Sequence, residues 1–197
     1  MKTLLIFLML TTSCMSATKK TATPPTENDA TTASEIILYD FVEQGKGKWS
    51  VQDDVVMGGR SDSQLDMTAD NYARFAGRVS LENNGGFCSM RQVVSAEPYV
   101  ISSASSAFVL TVKGDGEDYR FRVRTPNGQH SYGYTFSTQA GEWETITIPF
   151  DEMSADYRGR KVNVPNYAGE AVVELRILIG NKKEQTFELL VKNIGVK

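Results

Sequence analysis

The segment GDGEDYRFRVRTPNGQHSYGYTFS, residues 114–137, decides the fold class of this chain. It starts at the turn signal Gly114–Gly116 and turns again at Pro126–Gly128, and between these turns apolar residues alternate strictly with arginines. After the second turn, an aromatic residue occupies every second position between Ser131 and Ser137. Period-two alternation is typical of strands with one buried face, and glycine-containing turns between them are typical of hairpins. The segment therefore predicts antiparallel β-structure.

The same period of two extends over the flanking sequence. The further predicted strands are Ile36–Phe41, Tyr72–Leu81, Phe87–Val94, Phe108–Val112, Trp143–Phe150, Val172–Ile179 and Phe187–Val196. Only Asp151–Tyr157 suggests a short turn of helix. About ten short strands separated by glycine and asparagine turns predict an all-β fold, a two-sheet sandwich or jelly roll.

Length and charge narrow the class of protein further. The chain has 197 residues, of which 41% are hydrophobic, and this fits one globular domain with a small appendage. Its net charge is −3, whereas nucleic-acid-binding domains are usually strongly basic. We therefore expect no nucleic-acid partner.

The N-terminus is typical of an export signal. An apolar run, Leu4–Leu10, follows Lys2, and it is far shorter than the roughly 20 residues that span a bilayer. Small residues then lead into Cys14, as in a bacterial lipobox, although Thr11 stands where an aliphatic residue is usual. We predict that residues 1–13 are removed and that Cys14 is lipidated. One alternative is a conventional signal that is cut after Ala17, and another is a retained anchor or a cytoplasmic protein.

The next segment, residues 14–34, is rich in threonine, alanine and proline and is predicted to be a flexible tether. The folded domain is then residues 35–197. These features predict an exported lipoprotein of the cell envelope, on the periplasmic or outer-membrane side, which contacts the membrane through its lipid anchor alone. Lipidation of Cys14 leaves Cys88 unpaired, and we expect that thiol to be buried and inert.

Two clusters carry a family resemblance. They read WSVQDDVVMGGRSDS over residues 49–63 and FAGRVSLENNGGFCSMR over residues 75–91. Together with the Gly114–Gly116 turn and the IPF motif at Ile148–Phe150, they resemble the complex I intermediate-associated protein 30 family. The resemblance implies a galactose-binding-like jelly-roll β-sandwich, in agreement with the periodicity.

The resemblance also implies a function. The best-understood members of the family help to assemble mitochondrial respiratory complex I as non-catalytic, chaperone-like factors. An export signal sets this chain apart from them, since an exported protein does not meet those assembly intermediates. We therefore expect this chain to share the fold of the family more than its role in assembly.

Polar residues in the two clusters form one group of candidate ligand-binding residues. Asp53 and Asp54 precede Gly58 and Gly59, and Asn83 and Asn84 precede Gly85 and Gly86, so both pairs are predicted to lie on loops. If the loops meet, their oxygens suit sugar hydroxyls, with Trp49 or Phe87 as an apolar platform, or Ca²⁺. Alternatively, these side chains cap turns and hold the loops together.

Arginines form a second candidate group. Three of them share one face of a predicted strand: Arg120, Arg122 and Arg124. With Arg91 they are suited to carboxylates, acidic glycans or an acidic protein surface. The alternative is that cross-strand pairing with Glu142 and Glu144 neutralises the stripe, and that Arg91 is buried and paired.

No catalytic residue is predicted. The single histidine, His130, follows a turn, and the chain has no nucleophile elbow, CxxC, HExxH, GxGxxG or phosphate-binding loop. Two functions are favoured over a third possibility, an unrecognised enzyme or a purely structural component of the envelope. One is a non-catalytic protein-binding or assembly module without a resident cofactor, and the alternative is a carbohydrate-binding lipoprotein that uses the Asp53 and Asn83 loops.

Overall fold

The computed structural model describes residues 35–197, and the predicted signal segment, Cys14 and the tether lie outside the described residues. The strands are β1 (Ile36–Asp40), β2 (Ser50–Val51), β3 (Asp62–Met67), β4 (Ala73–Val79), β5 (Cys88–Val93), β6 (Ala107–Lys113), β7 (Asp118–Arg124), β8 (Ser131–Ser137), β9 (Trp143–Pro149), β10 (Ser154–Tyr157), β11 (Arg160–Lys161), β12 (Glu174–Ile179) and β13 (Gln185–Val196). Between them lie one turn of α-helix, α1 (Phe41–Gln44), and 3-10 helices at Asp54–Met57, Glu82–Asn84 and Phe150–Glu152. In this part of the chain no helix has the length and apolarity needed to cross a membrane.

The strands form two antiparallel sheets. One sheet has the order β3-β4-β13-β6-β9, with β1 paired to the C-terminal half of β13. The other has the order β11-β10-β8-β7-β12-β5-β2. Hairpin pairs such as β3-β4 and β7-β8 alternate with neighbours that are distant in sequence, as when β12 pairs with both β5 and β7. This confirms the predicted all-β, galactose-binding-like jelly-roll sandwich.

The core lies between the sheets and is built by the alternation in the sequence. In β7 the apolar members Tyr119, Phe121 and Val123 are almost fully buried, whereas the arginines between them face outward. Phe121 meets Phe108 of β6 edge to face, with ring centroids 5.1 Å apart. Aromatic contacts of this kind add to the stabilisation that burial of their area gives.

Two expectations about local structure were wrong. The structure has a 3-10 helix at Phe150–Glu152, but Ser154–Tyr157 is a strand, because it pairs with β8 and buries Ala155 in the core. The polar segment Asp62–Met67 was not predicted as a strand. Its pairing with β4 and the inward direction of Leu65 make it one.

Candidate functional site

The two glycine-rich loops do meet, and a buried carboxylate joins them. Asp54 is 0% exposed and accepts hydrogen bonds from the backbone N–H of Ser61 at 3.0 Å and its hydroxyl at 2.5 Å. It also accepts from the N–H groups of Gly86 at 2.5 Å and Phe87 at 3.2 Å, on the second loop. Burial by itself raises the pKa of Asp54, but the hydrogen bonds to its charged form lower the pKa by more. The pKa of Asp54 therefore lies below its usual value.

The glycines of both loops make room for this carboxylate. A Cβ at Gly59 would lie 2.3 Å from a carboxylate oxygen of Asp54, and one at Gly85 would lie 2.5 Å from the other. Four donors occupy most of the acceptor capacity of the two oxygens. Asp54 therefore ties the loops together and has no exposed oxygen to offer a sugar or a cation.

The remaining loop candidates do not form a binding site around Asp54. Asp53 accepts from the hydroxyl of Ser63 at 2.7 Å, and burial, only partly offset by hydrogen bonds, raises its pKa. Asn83 and Asn84 are exposed, with φ of 54° and 60°. Within residues 35–197 no three His, Cys, Asp or Glu side chains gather into a group that can hold a metal ion.

Trp49 was predicted as an apolar platform, and the structure corrects this. Its side chain is 2% exposed and packs in the core between Tyr39 and Phe41, with ring centroids 5.7 Å and 5.2 Å away. A ligand at the surface has no access to this indole. Trp49 therefore stabilises the sandwich rather than binding a ligand.

The arginines come together on the outer face of the second sheet, where they line a cleft of about 1010 Å³. We call this site the arginine cleft and define it by five side chains from three adjacent strands: Arg91 of β5, Arg176 of β12, and Arg120, Arg122 and Arg124 of β7. Strand register places Arg176 directly between Arg91 and Arg122. Like charges that lie opposite each other on neighbouring strands are destabilising. Two carboxylates among these arginines, Asp156 and Glu174, reduce that repulsion.

Gly133 of β8 shapes the cleft floor on the far side of β7. A Cβ at Gly133 would lie 2.7 Å from Nε of Arg120, so only glycine lets that guanidinium lie across β8. Arg120 thereby reaches Asp156 of β10 at 3.1 Å, and Arg122 reaches the other oxygen of Asp156 at 2.5 Å. Both oxygens of Asp156 are thus engaged, and this carboxylate is not a free base.

A second carboxylate, Glu174, lies among the remaining arginines and is 5% exposed. Arg176 donates to it at 2.9 Å and also bonds Gln52 and Ser89, so this guanidinium is held on three sides. Burial lowers the pKa of Arg176, and the charge of Glu174 opposes that shift.

Arg91 and Arg124 are the least neutralised of the five arginines that define the cleft. Their nearest carboxylate oxygen belongs to Glu174, at 3.9 Å and 3.8 Å, beyond hydrogen-bond distance. Neither guanidinium has a hydrogen bond to another described residue, and their side chains are 33% and 43% exposed. Donors that point into a partly desolvated cleft are suited to bidentate binding of a carboxylate, sulfate or phosphate.

The walls of the cleft differ in character. An apolar part of the lining consists of Val56, Met57, Phe87 and Leu178, and a basic part consists of Arg158, Gly159 and Lys161. Five arginines of the floor face two carboxylates, so the floor has three excess positive charges, and the basic wall adds to them. The cleft therefore attracts anions.

The structure thus brings Arg91, Arg120 and Arg122 together and separates them from the loop candidates. Sequence reasoning missed Arg176, although the alternation of Glu174, Arg176 and Leu178 with buried residues carries the same signal as β7. It also named the wrong neutralising partners. Glu142 precedes β9 and Glu144 lies on it, and β9 belongs to the other sheet.

Fold and cleft define a class of protein, a galactose-binding-like β-sandwich with a charged cleft across one sheet. Within that class, the chain belongs to the complex I intermediate-associated protein 30 family, whose pattern matches residues 39–191. This was the family that the sequence motifs predicted.

Two relatives are similar at low identity. Complex I intermediate-associated protein 30, mitochondrial, of Mus musculus is 25% identical over 181 residues, covering 81% of this chain and 55% of that protein. A Schizosaccharomyces pombe protein is 26% identical over 162 residues, covering 72% of this chain and 74% of that protein. The chain thus spans about half the length of the mouse relative.

Solved structures share the fold. A family 11 carbohydrate-binding module of Clostridium thermocellum, in complex with a β-1,3-1,4-mixed-linked tetrasaccharide, has a TM-score of 0.59 at 17% identity. That match covers 82% of this chain and 94% of the module. An agarase matches with a TM-score of 0.58 at 10% identity, over 83% of this chain and 24% of the enzyme. At these identities the likeness concerns the fold alone.

Proposed function

We propose that this protein is a non-catalytic binding module and that its arginine cleft docks an acidic segment of a partner protein. The observation that carries the proposal is the imbalance in the cleft floor, where five arginines face two carboxylates. Complementary charge gives specificity and speeds association. Membership of a family of assembly factors supports a protein partner.

The chemistry of the cleft supports a binding role rather than catalysis. A general base needs an available lone pair within reach of substrate. Asp156 is held by Arg120 and Arg122, and Glu174 is held by Arg176. Guanidinium groups stay protonated and serve to bind and orient anions.

The N-terminal sequence supports display at a membrane surface, and we include this in the proposal. A lipidated Cys14 followed by a tether would hold the cleft in the cell envelope. Mass spectrometry of the mature N-terminus tests it, and Cys14→Ser should release the protein from the membrane fraction. A mature protein that starts after Ala17 would contradict the lipid anchor and leave the cleft unaffected.

Calorimetric titration of the purified protein with poly-L-glutamate tests the cleft. We expect binding that weakens as salt screens the charges and that Arg91→Glu with Arg124→Glu abolishes. The matched control is Arg74→Glu with Arg78→Glu, because these arginines lie on β4 in the other sheet. Unchanged binding by the cleft variant would refute the proposal.

A carbohydrate partner is the second candidate, favoured by the fold shared with carbohydrate-binding modules. In this chain the cationic floor would require an acidic glycan, because neutral sugars gain little from guanidinium charge. Titration with polygalacturonate in parallel with polyglutamate separates the two candidates. Tight binding of polygalacturonate with no binding of polyglutamate would favour the glycan.

A further inference from the structure

Three consecutive apolar side chains stand in solvent at one wall of the arginine cleft. Val55, Val56 and Met57 are 60%, 67% and 70% exposed, and the last two line the cleft beside Phe87 and Leu178. A solvent-exposed apolar run contributes nothing to the core. Apolar groups at the edge of a charged cleft are typical of an interaction site.

The fold holds this run firmly in place. Asp54, at the base of the 3-10 helix, is anchored by four hydrogen bonds, and its carbonyl accepts from Gly59 at 3.1 Å. Gly58, at φ of 91°, closes the turn through its N–H to Val55. A loop that is ordered before binding loses little further conformational entropy when a partner docks. The buried carboxylate is thus a positioning residue for an apolar contact.

The dimensions of the floor suit an extended polypeptide. The register Arg91, Arg176, Arg122, Gly133 and Ser154 runs directly across five strands, from β5 to β10. Four spacings of about 4.8 Å make roughly 19 Å, which an extended chain covers in about six residues. At Gly133 the guanidinium of Arg120 covers the backbone, so a cation also faces the ligand at this point of the path.

The apolar wall indicates what the ligand carries besides acid groups. Val56, Met57 and Leu178 are aliphatic and Phe87 is the single aromatic member of this lining, whereas sugar rings bind best against flat aromatic faces. We propose that the cleft takes an extended acidic peptide segment with one aliphatic anchor residue, which packs against Val56 and Met57 while its carboxylates meet the arginines. This inference rests on the proposed function and adds the chemical class of the partner segment.

Two peptides of equal length and charge test it on the purified protein. One is an oligoglutamate with a single central leucine, and the other has serine in place of that leucine. We expect the leucine peptide to bind about tenfold more tightly, since burial of one aliphatic side chain is sufficient for that difference. Val56→Ser with Met57→Ser should erase the difference in affinity between the two peptides.

The matched control is Val100→Ser, because Val100 is 83% exposed and does not line the cleft. It should keep the preference for leucine. Equal affinity of both peptides for the unmodified protein would overturn this inference alone, whereas failure of both to bind would overturn the proposed function as well. Anionic phosphatidylglycerol vesicles form a third arm. Vesicle binding that the Val56 and Met57 substitutions abolish, without a leucine preference, would make the loop a membrane contact and overturn the inference.

Discussion

Replacing the buried Asp54 by alanine should cost much of the stability of the domain. The substitution leaves three backbone N–H donors without their acceptor, those of Ser61, Gly86 and Phe87, whereas the Ser61 hydroxyl still reaches the carbonyl of Ser80 at 3.2 Å. A buried donor without a partner costs about 1–3 kcal/mol. Because Gly86 and Phe87 are partly exposed, we expect a total loss of about 3–6 kcal/mol. The whole free energy of unfolding of a domain of this kind is about 5–15 kcal/mol.

Urea unfolding measures this loss, and the fluorescence of the buried Trp49 reports the transition. Asp54→Asn, which keeps one acceptor oxygen, should lose about half as much as Asp54→Ala. Asp62→Ala is the control, because this exposed aspartate of β3 should change stability by less than about 0.5 kcal/mol. A loss below about 1 kcal/mol for Asp54→Ala would refute the reasoning, since it would mean that water satisfies the donors.

The pH dependence of the same variants has a defined sign. The folded-state pKa of Asp54 is lowered, so its contribution is fully present above the unfolded-state pKa and is lost as pH falls through the folded-state pKa. The stability advantage over Asp54→Asn should therefore shrink in acid. An advantage that stays constant down to the acid limit of folding would contradict the lowered pKa.

Three further predictions concern other parts of the site. Burial raises the pKa of Asp53, so protonation of this side chain is favoured in the folded state. The stability of the unmodified protein relative to Asp53→Asn should therefore rise as pH falls through that pKa. Urea unfolding at a series of pH values checks this sign, and a fall in relative stability would contradict it. Gly133→Ala should push the guanidinium of Arg120 away from Asp156. Because this ion pair is partly exposed, the free energy of unfolding should fall by only about 1 kcal/mol. Unchanged stability would show that the guanidinium has room to move aside. Burial, together with the charge of Asp53, raises the pKa of the Cys88 thiol. A disulfide reagent should therefore label Cys88 no faster than the protein unfolds. Rapid labelling of the folded protein would contradict this prediction.

The fold could be predicted because its signal is local. In β7 and β8, apolar residues at every second position point into the core. The structure has those strands at Asp118–Arg124 and Ser131–Ser137. Errors arose where a segment is a strand through its partner and shows little apolar alternation of its own. The polar segment β3 is a strand only through its pairing with β4, and Ser154–Tyr157 only through its pairing with β8.

The candidate site could be predicted only in part, for the same reason. The outward direction of Arg122 follows from its own strand, but its position beside Arg176 depends on pairing between strands about 50 residues apart. Glycine and aspartate in the DDVVMGG segment gave a correct position for the loop. Their spacing does not show whether Asp54 faces a ligand or the interior, since that depends on the donors of Gly86 and Phe87.

Arginine side-chain NMR tests the central claim most directly. Titration of ¹⁵N-labelled protein with poly-L-glutamate should shift the Nε–Hε resonances of Arg91 and Arg124, whose guanidinium groups lack hydrogen bonds to other described residues. Those of Arg74 and Arg78, on the other sheet and beside Glu188 and Glu184, should stay in place. Shifts confined to Arg74 and Arg78, or no shift at any arginine when binding is saturated, would contradict the assignment of the arginine cleft as the binding site.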